Sequence, residues 1–228
     1  MKYLTEHYFE RCKRLQELYW KNYNEVLVKY PEDKYGSDLR PALFGLPGNT
    51  LVGYVIALAM IETTLKRKDW WSVYTPYKTE SEIIERYNHF DMSIRNSFFI
   101  LFFSKIEWII RNMLVVLDSE ACDGGFANFE SVHKVFFKKI GCESLTTLFD
   151  ISRDLRNSIH DNGKFCNKKH KDSQEYLYRG QKIKFFHGKT IEGATSLSFD
   201  LMEDLILGCR DIVNTRIICS LPSMTFVI

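Results

Sequence analysis

The 228-residue sequence contains only five prolines, and it has neither an internal repeat nor a low-complexity segment. Its charges nearly balance, with 31 Lys and Arg against 29 Asp and Glu, and 45% of its residues are hydrophobic. A chain of this composition can bury a sizeable core, because no excess of charge opposes folding. Any attraction for a polyanion must therefore come from local clusters of basic residues.

Paired cysteines and an uncharged membrane-spanning run are also missing. The six cysteines are scattered without a C-x-x-C pair, which argues against a zinc site or a disulfide framework. The most apolar stretch, "FFILFFSKIEWIIRNMLVVL", carries Lys105, Glu107 and Arg111, and charges at bilayer depth are expensive. We expect a cytoplasmic protein with reduced thiols, without a membrane, a metal or a cofactor.

Hydrophobic periodicity predicts a mostly α-helical fold, a helical bundle with a small β-hairpin near residues 181–192. The hairpin prediction centres on His187-Gly188. Predicted helices run from about residue 4 to 30, 49 to 66, 80 to 117, 129 to 141, 148 to 160 and 196 to 218. The proline- and glycine-containing stretch "PEDKYGSDLRPALFGLPGN" is predicted to be a long loop. Residues 1–75 are predicted to form an N-terminal helical extension that packs on a bundle of residues 76–228. Alternatively, both parts belong to one continuous domain.

The stretch "ISRDLRNSIHDNG", residues 151–163, separates apolar from polar residues when it is wound into a helix. The apolar face carries Leu148, Ile151, Leu155 and Ile159, and the opposite face carries Arg153, Arg156, Asn157 and His160. Gly163 suits the left-handed position after a helix end, which places His160 in the last turn. There the helix dipole favours a protonated imidazole by about 0.3–1 kcal/mol.

An imidazole beside guanidinium groups has the chemistry that metal-free RNA cleavage requires. The histidine removes the 2'-hydroxyl proton or supplies a proton to the leaving 5'-oxygen, while arginine stabilises the charge on phosphorus. The alternative interpretation is a solvated polar helix face that ends in a capping histidine.

The run "RDLRNSIHDNG" resembles the signature of the HEPN superfamily, in which an arginine, four to six further residues and a histidine lie near a helix end. Arg153 and His160 match that spacing. Arg156 with Asn157 matches the frequent Arg-Asn pair but leaves only three residues before His160. Both arginines are therefore candidates for the family arginine.

The resemblance implies a helical-bundle homodimer that brings two Arg/His sets together across a shared cleft. It also implies metal-independent endoribonuclease activity with 2',3'-cyclic phosphate products, often in a toxin or an antiviral defence effector. A regulatory protein or antitoxin is then an expected partner. Some members carry a modified tyrosine two residues after the histidine, whereas this sequence has Asn162 there.

Two further features bear on this hypothesis. Asn96 and Glu107 lie three helical turns apart on the long predicted helix, and Glu107 could hold Arg153 or Arg156 in position. Equally, Glu107 could form a surface ion pair with Arg111, four residues away.

The segment 164–189 contains eight Lys or Arg against two acids, with aromatic residues interleaved. This composition predicts a track for single-stranded RNA, although a solvated basic loop would look the same. The predicted RNA contacts are Lys164, Lys168, Lys169, Lys171, Arg179, Lys182 and Lys184.

Two other functions remain open. One is a non-catalytic module that binds RNA or a nucleotide in assembly or signalling. In the other, residues 1–75 dock a partner protein, so that activity is conditional.

Overall fold

Helices make up most of the computed structural model, which describes residues 5–31, 38–166, 173–191 and 194–226. The helices are α1 (Thr5–Lys29), α2 (Leu39–Met60), α3 (Lys68–Tyr74), α4 (Glu80–Leu117), α5 (Cys122–Gly125), α6 (Phe129–Ile140), α7 (Thr146–His160), α8 (Ala194–Val213) and α9 (Arg216–Ser220). A π-helical turn, Ile61–Leu65, extends α2, and a 3-10 turn, Glu143–Leu145, precedes α7. The strands are β1 (Gln174–Tyr178) and β2 (Gln181–Phe185). The predicted mostly-α class with a small hairpin is confirmed.

Helix α4 is the central element, since α2, α6, α7 and α8 all pack against it. It begins with a capping box in which the Thr79 hydroxyl accepts from the Glu82 backbone N–H and the Glu82 carboxylate accepts from the Thr79 N–H. Capping of this kind satisfies N–H groups that the first helical turn leaves without partners. Residues such as Phe99, Phe103 and Ile106 are fully buried, so α4 forms the middle of the core.

The prediction of a loop up to Asn49 was wrong, because α2 begins ten residues earlier, at Leu39. Asp38 caps the helix by accepting from the Arg40 N–H. Pro41 lies in the first turn, where a missing N–H costs little. Pro47 lies inside the helix, and burial of neighbouring side chains such as Phe44 and Leu51 outweighs the lost backbone bond.

Buried residues on both sides of residue 75 belong to one hydrophobic core. Cys12, Leu15 and Tyr19 of α1 are buried where α1 packs against α2 and α8. The stretch Leu39–Leu65 is long and apolar enough to span a membrane by length and composition, and 44% of its most apolar window is buried. It packs against α1 and α4.

The hairpin lies at residues 174–185 rather than near residues 181–192, which corrects its predicted position. Its tight turn is Arg179-Gly180, where both residues have positive φ angles of 47° and 75°. The predicted turn at His187-Gly188 exists, with the Lys189 N–H donating to the Phe186 carbonyl over 3.0 Å. However, that turn does not join two paired strands. It brings the backbone after it into contact with residues 164–165.

The glycines of α2 provide a test of the α1–α2 contact. A Cβ on Gly48 would overlap the ring of Tyr19, which is buried and stacked on Tyr23. Overpacking of this kind costs about 1–3 kcal/mol, so Gly48→Ala is expected to destabilise the protein in urea titrations.

Gly45→Ala is the matched control, because a Cβ there would lie 3.6 Å from the Tyr23 hydroxyl, an ordinary contact. Without a clash, alanine in a helix gains about 0.5–1 kcal/mol over glycine. Equal effects of the two substitutions would contradict the described packing.

Candidate functional site

The polar face of α7 opens onto a groove of about 770 Å³ between α4, the start of α6 and the turn that follows α7. Three of the predicted site residues on α7, Arg153, Arg156 and His160, line it together with Asn157. Glu107 lines the groove from α4, whereas Asn96 is not among the lining residues. Asn96 lies about 16 Å from Glu107 along the helix axis at 1.5 Å per residue. The groove therefore brings the predicted motif residues together without Asn96.

Glu107 is shared by two arginines from different segments. Its Oε2 accepts from the Arg156 Nη1 over 2.6 Å, and its Oε1 accepts from the Arg111 Nη2 over 2.8 Å. Both contacts that the sequence left open for Glu107 are present in the structure. The Glu107 side chain is only 12% exposed, so these charge-assisted bonds lie largely out of water, where they are stronger than at a surface.

Arg111 extends this connection to the chain that precedes α6. Its Nη1 donates to the carbonyls of Gly125 and Ala127 over 2.8 and 2.6 Å. Gly125 has a φ of +91°, and a Cβ there would lie 2.8 Å from Val115, so only glycine fits. Arg111 thus fixes the loop at the groove edge. Sequence reasoning did not assign Arg111 to the site, because its carbonyl partners belong to an irregular loop.

Arg153 is enclosed by carboxylates. Its Nη1 donates to Asp150 over 2.8 Å and lies 3.5 Å from Glu130, and its Nη2 donates to Asp154 over 2.9 Å. The Tyr176 hydroxyl of β1 donates to the other Asp154 oxygen over 2.7 Å. Arg153 consequently helps to hold α7 against α6 and the hairpin, and the carboxylates around it neutralise its charge.

Arg156 uses fewer of its hydrogen-bond donors than Arg153 does. Of the five N–H groups of a guanidinium, one donates to Glu107 and one to the Asn157 side-chain oxygen. Three donors therefore remain for a ligand within the part of the chain that the structure describes. Arg156 also lies over the Phe103 ring at 5.8 Å. Of the two candidate arginines, Arg156 makes fewer hydrogen bonds to the described residues, two against the three of Arg153.

His160 is exposed in the last turn of α7, and its ring makes no hydrogen bond to any described residue. The helix ends directly after it, with left-handed Asn162 and Gly163 at φ values of 56° and 80°. The predicted helix stop at Gly163 thus has the expected conformation. As far as the described residues are concerned, both ring nitrogens are therefore available to a ligand in the groove.

His133 is a buried histidine that the sequence did not connect with the site. Its ring is fully buried on α6, with Nδ1 2.6 Å from the Phe129 carbonyl and Nε2 3.2 Å from the Asp150 carboxylate. Nδ1 must carry a proton, because a carbonyl only accepts. The sequence signal that could have indicated its burial is its spacing, because His133 lies four residues from both Phe129 and Phe137 on the apolar face of α6.

Several predicted RNA contacts are already paired. Arg179 donates to Glu203 and Asp204 of α8, and Lys182 and Lys184 both pair with Glu175. Lys164 is exposed and its backbone bridges to Thr190. Lys168, Lys169 and Lys171 lie outside the described residues. Within the described part of the segment, acids on the hairpin and on α8 therefore offset the charges of Arg179, Lys182 and Lys184.

Acids also balance the arginines of the groove itself. Arg111, Arg153 and Arg156 share its lining with Glu107, Glu130, Asp154 and Asp161. The groove is consequently polar without a strong positive field. Its affinity for a phosphate would depend on directed hydrogen bonds rather than on general charge attraction. Among the described residues, no group of three His, Cys, Asp or Glu side chains is arranged to hold a metal ion.

A comparison of the chain with protein-family models, with curated proteins and with solved structures finds no match in any of the three.

Asp150 offers a test of the network beneath the groove. Burial would raise the pKa of Asp150, but His133, Arg153 and Lys134 outweigh burial and lower it below its ordinary value. A lowered folded-state pKa means that the carboxylate contributes stability above the ordinary aspartate pKa of about 3.9. That contribution is lost as the pH falls through the folded-state value.

Asp150→Asn is therefore expected to cost about 1–3 kcal/mol at neutral pH, and the cost should shrink in acid. Urea titrations at a series of pH values measure the difference. Asp118→Asn is the control, since Asp118 pairs with Lys139 at the surface and should change stability little. A difference for Asp150→Asn that is independent of pH would contradict the assignment.

Proposed function

We propose that this protein is a metal-independent endoribonuclease of the HEPN type. The observation that carries the proposal is that His160 and Arg156 line one groove, where, among the described residues, the His160 ring has no hydrogen-bond partner and three Arg156 donors are unused. The resemblance of "RDLRNSIHDNG" to the HEPN signature supports the same activity. A cytoplasmic location without membrane attachment, and a role in a toxin or antiviral system with a regulatory partner, are part of this proposal.

In the proposed mechanism, His160 acts as the general base or general acid. As a base it removes the proton of the 2'-hydroxyl, and the resulting oxygen attacks the adjacent phosphorus. The leaving 5'-oxygen takes a proton, and the product carries a 2',3'-cyclic phosphate. Arg156 donates to the phosphate oxygens, on which negative charge develops in the transition state.

A homodimer completes the acid–base pair. Among the described residues, His160 is the single histidine that lines the groove, and the proposed reaction needs both a base and an acid. Two copies that face each other would provide two imidazoles, as the resemblance implies. A single histidine that first removes and later returns the proton is the monomeric counterpart.

The two arginines have different proposed roles. Arg156 contacts the phosphate, because three of its donors are unused among the described residues. Arg153 is a positioning residue that holds α7 against the hairpin through Asp154 and Tyr176. Its spacing to His160 fits the signature better, whereas its surroundings favour a structural role.

A non-catalytic module that binds RNA or a nucleotide is the second candidate. The balance of arginines and carboxylates in the groove favours a nucleotide over a long RNA as the ligand of such a module, since this surface attracts a polyanion weakly. In that case Arg156 and His160 recognise a phosphate or a base without chemistry.

Cleavage of a labelled mixed-sequence RNA in EDTA tests the proposal. The wild type is expected to yield cyclic phosphate ends, and His160→Ala is expected to lower the rate by about 10²–10⁴-fold, the usual contribution of general acid–base catalysis. Arg156→Ala should lower it by about 10²–10³-fold in a protein that is still folded under the assay conditions, as for removal of an oxyanion donor. Arg153→Ala should instead lower the melting temperature.

His89→Ala is the matched control, because His89 is exposed on α4 and does not line the groove. Cleavage that persists in His160→Ala, or that disappears equally in His89→Ala, would contradict the proposal. A folded wild type that binds RNA without cutting it would favour the binding module.

A further inference from the structure

The strand β2 has one edge that no described strand covers, since β1 is its only partner in the described part of the chain. Both residues of the hairpin turn have positive φ, as in a type I′ turn, so the flanking residues Tyr178 and Gln181 form a hydrogen-bonded pair. Hydrogen-bonded and non-hydrogen-bonded pairs alternate along an antiparallel ladder. The backbone N–H and C=O groups of Lys182 and Lys184 therefore point away from β1, towards the uncovered edge.

A cavity of about 630 Å³ lies beside this edge. Its lining includes residues 181–184 of β2, residues 189–191 and the beginning of α8. Of β1, only the last residue, Tyr178, is part of the lining, so the cavity lies on the side of β2 that faces away from β1. Among the described segments, none forms a backbone hydrogen bond with the outward groups of Lys182 and Lys184. These groups therefore border an open cleft.

Lysine side chains give this side of the cleft a positive charge. Lys182 and Lys184 share a single carboxylate, that of Glu175, at 3.1 and 2.8 Å. Lys189 also lines the cleft, and it has no ion-pair partner among the described residues. Its ammonium lies 5.8 Å from the centre of the Phe186 ring. Three ammonium groups thus face one carboxylate, an arrangement that attracts an anionic chain.

The rest of the lining contains apolar side chains and one acid within the described residues. The carboxylate of that acid, Asp200, is already held by Arg179 and Arg11. The apolar lining residues are Ile183, Phe186, Ile191 and Leu197. Ile183 and its neighbouring lysines point to opposite faces of β2, because side chains alternate along a strand. A chain of alternating acidic and apolar residues would match both faces.

We propose that the uncovered edge of β2 is a docking site for an extended acidic peptide segment of a partner protein. The segment adds to the hairpin as a third strand, and its backbone pairs with the outward groups of Lys182 and Lys184. Its carboxylates bind the lysine ammonium groups through charge-assisted hydrogen bonds. The cleft shares no lining residue with the groove, so this interaction does not rest on the proposed nuclease activity.

A second copy of this chain and a single-stranded RNA match the edge less well. Two β2 edges that paired with each other would bring lysines opposite lysines, and like charges across a strand pair are destabilising. Phosphate oxygens of RNA could bind the ammonium groups, but they only accept hydrogen bonds and would leave the outward carbonyls unpaired. A peptide backbone supplies one donor and one acceptor per residue, which matches the edge.

Fluorescence anisotropy with a labelled peptide and the intact protein tests the proposal. The probe has the length of one strand, about five to six residues, and alternates glutamate with valine. It is expected to bind about tenfold or more tightly than a peptide that alternates lysine with valine, and salt should weaken its binding.

Methylated forms of the same probe separate strand addition from charge attraction. Successive N–H groups of a strand point to opposite edges, so only one alternating set can face β2. Methylation of that set should weaken binding by about tenfold or more, whereas methylation of the other set should leave binding unchanged.

Lys184→Pro removes one outward N–H and leaves the ladder to β1 intact, because proline is tolerated where the N–H of an edge strand faces outwards. Lys184→Thr is the matched control, since it removes the same charge and keeps the N–H. The proline variant is expected to bind the glutamate peptide about three- to tenfold more weakly than the threonine variant. Circular dichroism confirms that both variants are folded.

Absence of binding by the glutamate peptide, or equal effects of the two methylation patterns, would overturn the proposal. Equal affinities of the folded Lys184→Pro and Lys184→Thr variants would do the same. A short single-stranded RNA that displaces the peptide and binds more tightly would assign the cleft to RNA instead. Dimerisation that Lys184→Pro abolishes would assign the edge to a second copy. These outcomes are independent of RNA cleavage.

Discussion

The carboxylate of Glu107 is the contact on which the groove depends. It lies on the central helix α4 and accepts from Arg156 on α7 and from Arg111 on its own helix. Arg111 in turn holds the carbonyls of Gly125 and Ala127. One carboxylate thus fixes three segments relative to each other. Its loss would leave two guanidinium groups without their shared carboxylate at a site that is largely shielded from water, which is costly.

In this arrangement the three arginines that line the groove have different sets of hydrogen-bond partners. Arg111 donates to backbone carbonyls and to Glu107. Arg153 donates to Asp150 and to Asp154, which also accepts from Tyr176 of the hairpin. Arg156 combines a fixed position with three unused donors among the described residues, more than Arg111 or Arg153 retains. A phosphate bound there would meet His160 one helical turn further along α7. The packing of α4 therefore provides the pre-organisation that the proposed catalysis would require.

The sequence predicted the elements whose signals are local. The long helix α4 has the predicted bounds because Thr79 and Glu82 cap it and no proline interrupts it. The prediction failed at α2, where buried apolar residues outweigh the prolines, and at the hairpin, whose turn is Arg179-Gly180. Periodicity identified the polar face of α7, and the structure brings that face to a groove.

The partners of that face could not be predicted from local pattern. Glu107 and Arg156 lie 49 residues apart in the chain, so their contact arises only when α4 and α7 pack. The acids that enclose Arg153 come from α6 and α7, and Tyr176 of the hairpin donates to one of them, Asp154. For the same reason, composition alone suggested a basic RNA track, whereas Arg179, Lys182 and Lys184 are paired with acids.

A double-mutant cycle of Glu107→Gln and Arg156→Gln, measured by urea titration, tests the central contact most directly. The account predicts a coupling of about 0.5–3 kcal/mol between the two substitutions, as for other residues in direct contact. The pair Glu107→Gln and Arg210→Gln is the control, since Arg210 pairs with Asp211 on the exposed side of α8. Additive effects of the Glu107 and Arg156 substitutions would contradict the claim that Glu107 holds the groove arginine.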